Sequence, residues 1–407
     1  MSSDLLIIGA GPAGLAAAIA AGRNGQHVVI CERMSRPGLK LLATGGGRCN
    51  ITTSDKPEVI AQHFGKHGRF MLPALESFGP AQIRAFFDSC GVPTLVQPDG
   101  CVFPVSQKAT DILQALLQAA REVNVDIKCG CEACELLSDN NIITGIKTSG
   151  GDLTAGHVIL ASGGCSYPTL GSNGTGFSIA QRVGLKIETP LPALTSLATT
   201  ATWPYELAGI TLMNGRAWVA LPRAPRLQFD GPILFTYTGL SGPPILNLSG
   251  TVAAELVRNE ATIYLQLIAG RDRQAWQQIF LIWRQKYGGR ALHNLLSGEM
   301  PRRLAEAICA ATGTMGLAIA RAAKLQLDDL ATYCGELPLQ ISATGNWQNA
   351  MVTRGGISLK ELEPATLKCR RFNGLKCVGE VVNLDGPCGG YNLTWALASG
   401  WLAGKTL

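Results

Sequence analysis

Three glycines in "GAGPAG", Gly9, Gly11 and Gly14, stand between an apolar run, Asp4 to Ile8, and an alanine-rich stretch, "LAAAIAAGRN". This spacing handles phosphate without any catalytic side chain. The first glycine permits a tight turn, the second lets backbone approach a pyrophosphate, and the third lets a helix pack closely on a strand. Phosphates then lie over the positive end of the helix. "HVVICE", His27 to Glu32, reads as a second buried strand, and Glu32 ends it where a carboxylate accepts a bond from a ribose hydroxyl. The rival explanation is an Ala/Gly packing turn. The strand before, the helix after and the acidic partner together favour dinucleotide binding.

More glycines lie far along the chain. Gly163 and Gly164 follow the buried strand "HVILASGG", and Gly389 and Gly390 precede the helix "LTWALASGWLAG". A dehydrogenase that borrows NAD would keep one contiguous nucleotide domain. Glycine loops from both ends of the chain suit a large, permanently held cofactor instead. The helix starting near Asn392 aims its amides and partial positive charge at whatever lies over it. A reduced flavin is anionic at its N1/O2 edge, so FAD fits better than NAD.

The elements that position these residues follow from periodicity. Lys108 to Val123 reads as a helix with Ile112, Leu113, Leu116, Leu117 and Ala120 on one side. "LGSNGTG" leads into the helix "FSIAQRVG". From about Thr189 the chain is proline-punctuated, then alternates in "AWVAL" and "ATIYLQL", which predicts an antiparallel sheet or small barrel. Trp276, Ile279, Phe280 and Trp283 share a helix face that Gly288 ends, and Pro301 opens another helix. Met315 to Leu325 and Asp328 to Tyr333 continue the helical texture. The expected fold is α/β. A discontinuous Rossmann-like FAD domain covers 1–188 and 342–407, and an inserted substrate domain covers 189–341. Within the insert, a β-barrel is expected over about 189–270 and 334–341, with helices over about 271–333.

Composition sets limits. The chain has 407 residues, 46% hydrophobic and 16% charged, which fits a well-buried globular protein of more than one domain. The net charge of +6 comes from 35 basic and 29 acidic residues. The densest basic pieces are Arg223/Arg226, Arg302/Arg303 and Lys368/Arg370/Arg371, and without a basic run they read as solvated faces. Thirteen cysteines, an odd number, point to reduced thiols and a cytoplasmic location. Cys129, Cys131 and Cys134 form C-x-C-x2-C in a segment that reads as a strand, with no fourth ligand evident, so no metal is expected. There is no signal-peptide pattern. No apolar run approaches the ~20 residues of a membrane span. No obligate protein partner is evident.

Six stretches occur in order: "GAGPAG", "KLLATGGGRCNIT", "ASGGCSYPTLGSNGTG", "ILFTYTGLSGPPIL", "VTRGGI" and "GEVVNLDGPCGGYNLTWALASG". Together they resemble the BaiN-like (YhiN-type) family of FAD-dependent NAD(P)/FAD oxidoreductases, from residue 5 to residue 404. The resemblance implies a two-part FAD domain of the glutathione-reductase type, with an insert of β-barrel and helices. It places Gly9, Gly11, Gly14 and Glu32 with the adenosine half, and implies that Pro12, Ala13, Arg33, Lys40, Ala161, Ser162 and Gly163 also bind cofactor. Gly45, Gly46, Gly47, Arg48, Cys49 and Asn50 should lie near the pyrophosphate and flavin. Gly379, Glu380 and Asp385 should face the pyrophosphate and ribityl chain, and Gly390, Tyr391 and Asn392 the pyrimidine edge. In that loop the glycine amides can reach phosphate or flavin, Arg48 adds positive charge and Asn50 bonds in both directions. Cys49 has no CxxC partner or activating base in view and reads as structural. The chain departs from the family at Thr175, where an acidic residue is common, and at Leu185 and Tyr237, where histidine is.

The chemistry expected first is NAD(P)H-driven reduction of a C=C bond conjugated to a carbonyl, with hydride passing from flavin N5. A donor would polarise the carbonyl, and the candidates are Arg48, Tyr237, Arg354 and Tyr391. There is no second strand–GxGxxG–helix unit, so NAD(P)H would bind transiently on the substrate side. The alternatives are reduction of an rRNA uridine to dihydrouridine, oxidation of a small amine, and a flavin-holding sensor or structural protein. A small-molecule substrate is the first expectation, and rRNA the second.

Overall fold

The computed structural model describes residues 3–221 and 226–407. The chain divides into two units. One comprises residues up to Leu191 with Met351–Leu407, and the other Pro192–Ala350.

The first unit is built on a seven-stranded sheet. Ser3–Ile8 is central, parallel to Val28–Glu32 on one side and to Gly151–Leu160 on the other. Asp126–Cys129 extends the sheet beyond Val28–Glu32, and Leu375–Cys377 pairs in parallel with Gly151–Leu160. An antiparallel meander, Ala133–Asp139 with Ile142–Thr148, joins the lower half of Gly151–Leu160. The runs "LLII" and "VVIC" are almost continuously buried, as strands covered on both faces must be.

The helix Pro12–Arg23 starts with proline, whose missing amide costs nothing at that position. A Cβ on Gly14 would stand 1.9 Å from the carbonyl oxygen of Gly9, so only glycine lets the helix sit this close to the turn. The C-terminal helix Tyr391–Lys405 packs on the same helix. Cβ atoms on Gly400 and Gly404 would come within 2.1 Å of the carbonyl oxygens of Ala13 and Ala17. Both chain ends thereby share one core, with Leu15, Ile19, Trp395 and Ala398 in it.

The second unit contains a closed six-stranded barrel. Its order is Leu197–Thr199, Gly239–Ser241, Leu227–Thr236, Thr211–Val219, Ala261–Gln266, Leu337–Thr344. Alternation decides which side chains face in: Leu337, Leu339 and Ile341 are buried, and the residues between them are exposed. The helix Arg273–Tyr287 is capped by Asp272, whose carboxylate accepts from the Ala275 amide at 2.8 Å, and it buries Trp276 and Phe280. Arg302–Ala311 follows Pro301.

Two local expectations need correction. Met315 to Leu325 is not continuous helix: only Ile319–Arg321 forms a short turn before the helix Lys324–Gly335. Gly316 turns at φ +73°, and Ala318, Ala322 and Ala323 take extended backbone, which breaks the run. Nor is the C-x-C-x2-C segment one strand. Cys129 ends one strand, Gly130 turns at φ +69°, and the next begins at Ala133. Among the described residues no group of three or more His, Cys, Asp and Glu is placed to hold a metal ion, and no helix is long and apolar enough to cross a membrane.

Candidate cofactor site

In the first unit a cavity of about 1270 Å³, counting the part open to solvent, lies against the start of the helix Pro12–Arg23. Gly9, Gly11, Pro12 and Ala13 form one wall. Glu32, Arg33, Lys40, Ala161, Ser162, Gly163, Glu380 and Asn392 also line it. Gly9 is at φ +102°, with space for no side chain against Ala161. Nothing lies within 4 Å of where a Cβ on Gly11 would be, so the backbone there faces open space beside the helix amides. An anion suits this position.

Two buried polar atoms on the cavity wall lack any partner in the protein: Ser162 Oγ and Arg33 Nη1. Native proteins rarely leave such groups unsatisfied. A hydroxyl donor and a guanidinium beside a helix start match a dinucleotide, which brings phosphates, ribose hydroxyls and base acceptors. The residues present therefore fit FAD.

Glu32, 7% exposed, accepts the Ala10 amide on Oε2 and the Met34 amide on Oε1, both at 2.8 Å. It thus clamps the glycine turn to the end of the second strand and keeps lone pairs for a further donor. Arg33 faces Glu132 at 3.9 Å. Lys40 Nζ donates to Glu380 Oε2 at 2.5 Å and to Ser166 Oγ at 2.6 Å. The Ser166 hydroxyl and the Thr353 amide each meet Glu380 Oε1 at 2.8 Å. Asn392 bonds Gly386 in both directions at 2.8 Å and fixes the turn before the C-terminal helix. Sequence reasoning missed Ser166, Thr353, Ser172, Asn173, Met351 and Leu384. Ser166, Ser172 and Asn173 sit inside "ASGGCSYPTLGSNGTG", Thr353 inside "VTRGGI" with Met351 directly before it, and Leu384 inside "GEVVNLDGPCGGYNLTWALASG", so these stretches were the available signal. Thr175 lines the cavity, whereas Leu185 is core.

Other sequence-selected residues stand outside the cavity wall. Gly14 packs against Gly9, and Gly379 against Ala13. Gly45, Gly46 and Gly47 take φ +57°, +67° and +86° in succession, a run open only to glycine, and are exposed. Arg48 is also exposed, 4.8 Å over the Phe103 ring. Cys49 is fully buried, and burial pushes its thiol up to about 12. The Asn50 side-chain oxygen accepts the Val102 amide at 3.1 Å, and Gly390 lies close against Thr52 and Asn50. Tyr391 donates to Asp55 at 2.7 Å, with its ring 4.6 Å from that of His63. Burial, and then the bond to Asp55, raises the phenol well above its ordinary value.

Arg354 pairs with Asp385 at 3.3 Å. Burial raises the Asp385 carboxyl, with Arg354 opposing the shift. His67 is pushed down by burial, Lys66 and Arg354. Tyr237, in the second unit, is 87% exposed. Of the basic pieces, Arg302 pairs with Glu306, Arg303 with the Glu206 carbonyl, and Arg370 and Arg371 with the carbonyls of Leu362 and Gly184. Arg226 lies 3.7 Å over the Trp218 ring, and Arg223 falls outside the described residues.

A parallel sheet, a glycine turn at a helix start and a cavity built from both chain ends define a Rossmann-type flavoprotein oxidoreductase. The chain belongs to the family described as HI0933-like protein Rossmann domain, which matches residues 3–406. It is 31% identical over 405 residues to a 3-dehydro-bile acid delta(4,6)-reductase of Clostridium scindens, covering 98% of this chain and 97% of that protein. It is 27% identical to a ribosomal RNA dihydrouridine synthase of Escherichia coli, covering 99% and 98%. Among solved structures, a 3-ketosteroid-delta4-(5alpha)-dehydrogenase of Rhodococcus jostii shares the fold. The TM-score is 0.52 and the identity 16%, covering 100% of this chain and 96% of that one.

Proposed function

We propose that the protein reduces a carbon–carbon double bond conjugated to a carbonyl, with FAD held in the cavity and NAD(P)H as the transient reductant. The observation that carries this reading is the whole-length similarity to the bile-acid reductase. When bound, FAD supplies hydride acceptance and donation.

The chain supplies the rest. The Gly11 and Ala13 amides, on either side of Pro12, would hold the pyrophosphate. Glu32 stiffens the turn that presents them. Arg33 and Ser162 fill their empty bonding capacity with the cofactor's acceptors and hydroxyls. Gly163, Glu380 and Asn392 complete the wall. Gly45–Asn50, Gly379, Asp385 and Gly390 belong to turns outside the wall, and Tyr391 begins the C-terminal helix.

A carbonyl-polarising donor must have a proton free to give. Tyr391 already donates its single hydroxyl proton to Asp55. Arg48 donates to the Gly45 carbonyl and Arg354 to Asp385, and each guanidinium keeps further N–H donors. Both arginines are therefore preferred over Tyr391, and Tyr237 is retained on the resemblance alone.

A second reading, reduction of a uridine in ribosomal RNA, is favoured by the similarity to the Escherichia coli enzyme. One experiment separates the two. The FAD-loaded protein is bleached anaerobically with NADH or NADPH, then offered a 3-oxo-4-ene steroid, uridine-containing RNA or air. Rapid recovery of the 450 nm band with the enone supports the first reading. Recovery with RNA alone supports the second, and peroxide formed at comparable speed in air marks an oxidase and overturns both.

A further inference from the structure

Lys40 and Glu380 are 340 residues apart in sequence, yet they meet on the cavity wall. We propose that they form a matched charge pair that sets how strongly the cofactor in this cavity holds electrons, with Lys40 supplying the stabilising cation and Glu380 positioning and offsetting it. The inference rests on the FAD reading above.

The pair is built rather than incidental. Their side chains are only 20% and 18% exposed, so neither charge could sit there alone without a large desolvation cost. Each Glu380 oxygen is held. Lys40 takes Oε2, while the Ser166 hydroxyl and the Thr353 amide share Oε1. Ser166 is fully buried and also accepts from Lys40, so one hydroxyl bridges both partners. Thr353 is fixed in turn by the Cys165 amide, 2.7 Å from its Oγ1. A Cβ on Gly164 would stand 2.2 Å from that same Oγ1 and 2.9 Å from Glu380 Oε1. The bare backbone at Gly164 is what allows the network to close. An ammonium has three N–H donors, and two are committed, so Lys40 keeps one.

The charge arithmetic says what the third donor suits. A pyrophosphate is anionic in every redox state, and a carboxylate beside it would only repel it. A cation already offset by a carboxylate suits a group that is uncharged in one state and anionic in the other. The oxidised and reduced forms of a flavin differ in this way. In a partly buried site such a pair acts on its neighbour far more strongly than it would in water.

The test is the midpoint potential of bound FAD in the wild type, Lys40→Met, Glu380→Gln and the double variant, measured by dye equilibration. Lys40→Met should lower the potential, because an uncompensated carboxylate disfavours the anionic reduced form. Glu380→Gln should raise it. At a fixed solution potential each should change the reduced-to-oxidised ratio at least tenfold, about 30 mV for a two-electron couple. The double variant should return towards wild type. A purely structural clasp predicts something else: single variants that shift together or not at all, and no recovery in the double variant. Either result overturns the proposal. If the single variants lose FAD, the double variant decides: a yellow protein with near-wild-type potential supports the pair, and a colourless one refutes it. A wild-type protein that takes up no FAD would instead sink the cofactor reading itself.

Discussion

Glu32 illustrates how one side chain serves fold and site together. Its two oxygens accept two different backbone amides, one from the glycine turn and one just past its own strand end. Glutamine keeps one acceptor and turns the other into a donor, which then faces an N–H. Leaving a buried amide unpaired costs about 1–3 kcal/mol. Glu32→Gln should therefore lower the thermal midpoint and weaken FAD binding together, as read by melting curves and fluorescence titration. Unchanged FAD affinity would mean that the clamp does not shape the glycine turn. Glu32 was visible in the sequence because it ends the strand that follows the glycine turn and its helix, the place where the motif expects an acidic residue. Lys40–Ser166–Glu380 was not visible as a network, since no local periodicity links residues so far apart in the chain. Cys49 was legible only in part: absence of an activating partner argued for a structural thiol, but its full burial at φ +62° comes from tertiary packing.

At the scale of elements, the contact between the first and last helices rests on what is missing from them. Gly400 and Gly404 are four apart, so they share one face of the C-terminal helix. Alanine at position 400 would gain about 1 kcal/mol in helix propensity. Its methyl would also be driven to 2.1 Å from the Ala13 carbonyl oxygen, which is backbone and cannot swing aside. Overpacking of this kind costs about 1–3 kcal/mol and wins. Gly400→Ala should lower the melting temperature, whereas Gly289→Ala, with nothing within 4 Å of the added carbon, should stay within about 0.5 kcal/mol of wild type. Equal melting of the two variants would remove this account of the helix pair. The first βαβ unit and the barrel strands were readable because their periods of burial are regular. The failure at Met315 to Leu325 has the opposite cause: apart from Gly316, the residues that leave the helix are alanines, strong helix formers that the folded chain holds extended at 318, 322 and 323.

At the scale of the whole first unit, the end of the chain is tied to the central sheet by a buried lysine. Lys376 sits on the strand Leu375–Cys377, 1% exposed. Its Nζ donates to the Ala403 carbonyl at 2.7 Å and to Thr406 Oγ1 at 2.9 Å. Burial first, and then Lys368, push it from its ordinary 10.5 down to about 7. The sign of the consequence is fixed. Between about pH 7 and 10.5 the unfolded chain holds this proton and the folded chain has released it, so stability rises with pH across that window. The slope from this one group approaches about 1.4 kcal/mol per pH unit. Buried thiols act the other way. Cys31 and Cys49 are raised to about 12 from 9.0, so the folded state keeps protons that the unfolded chain loses above about pH 9. Stability should therefore climb from pH 7 to about 9 and then turn down. Lys376→Met should abolish the climb and leave the downturn, whatever its effect on absolute stability through the two lost hydrogen bonds. Melting curves at half-unit steps from pH 6.5 to 10.5 read both limbs, and a wild-type profile that is flat or falling between pH 7 and 9 would show that Lys376 keeps its proton in the folded protein.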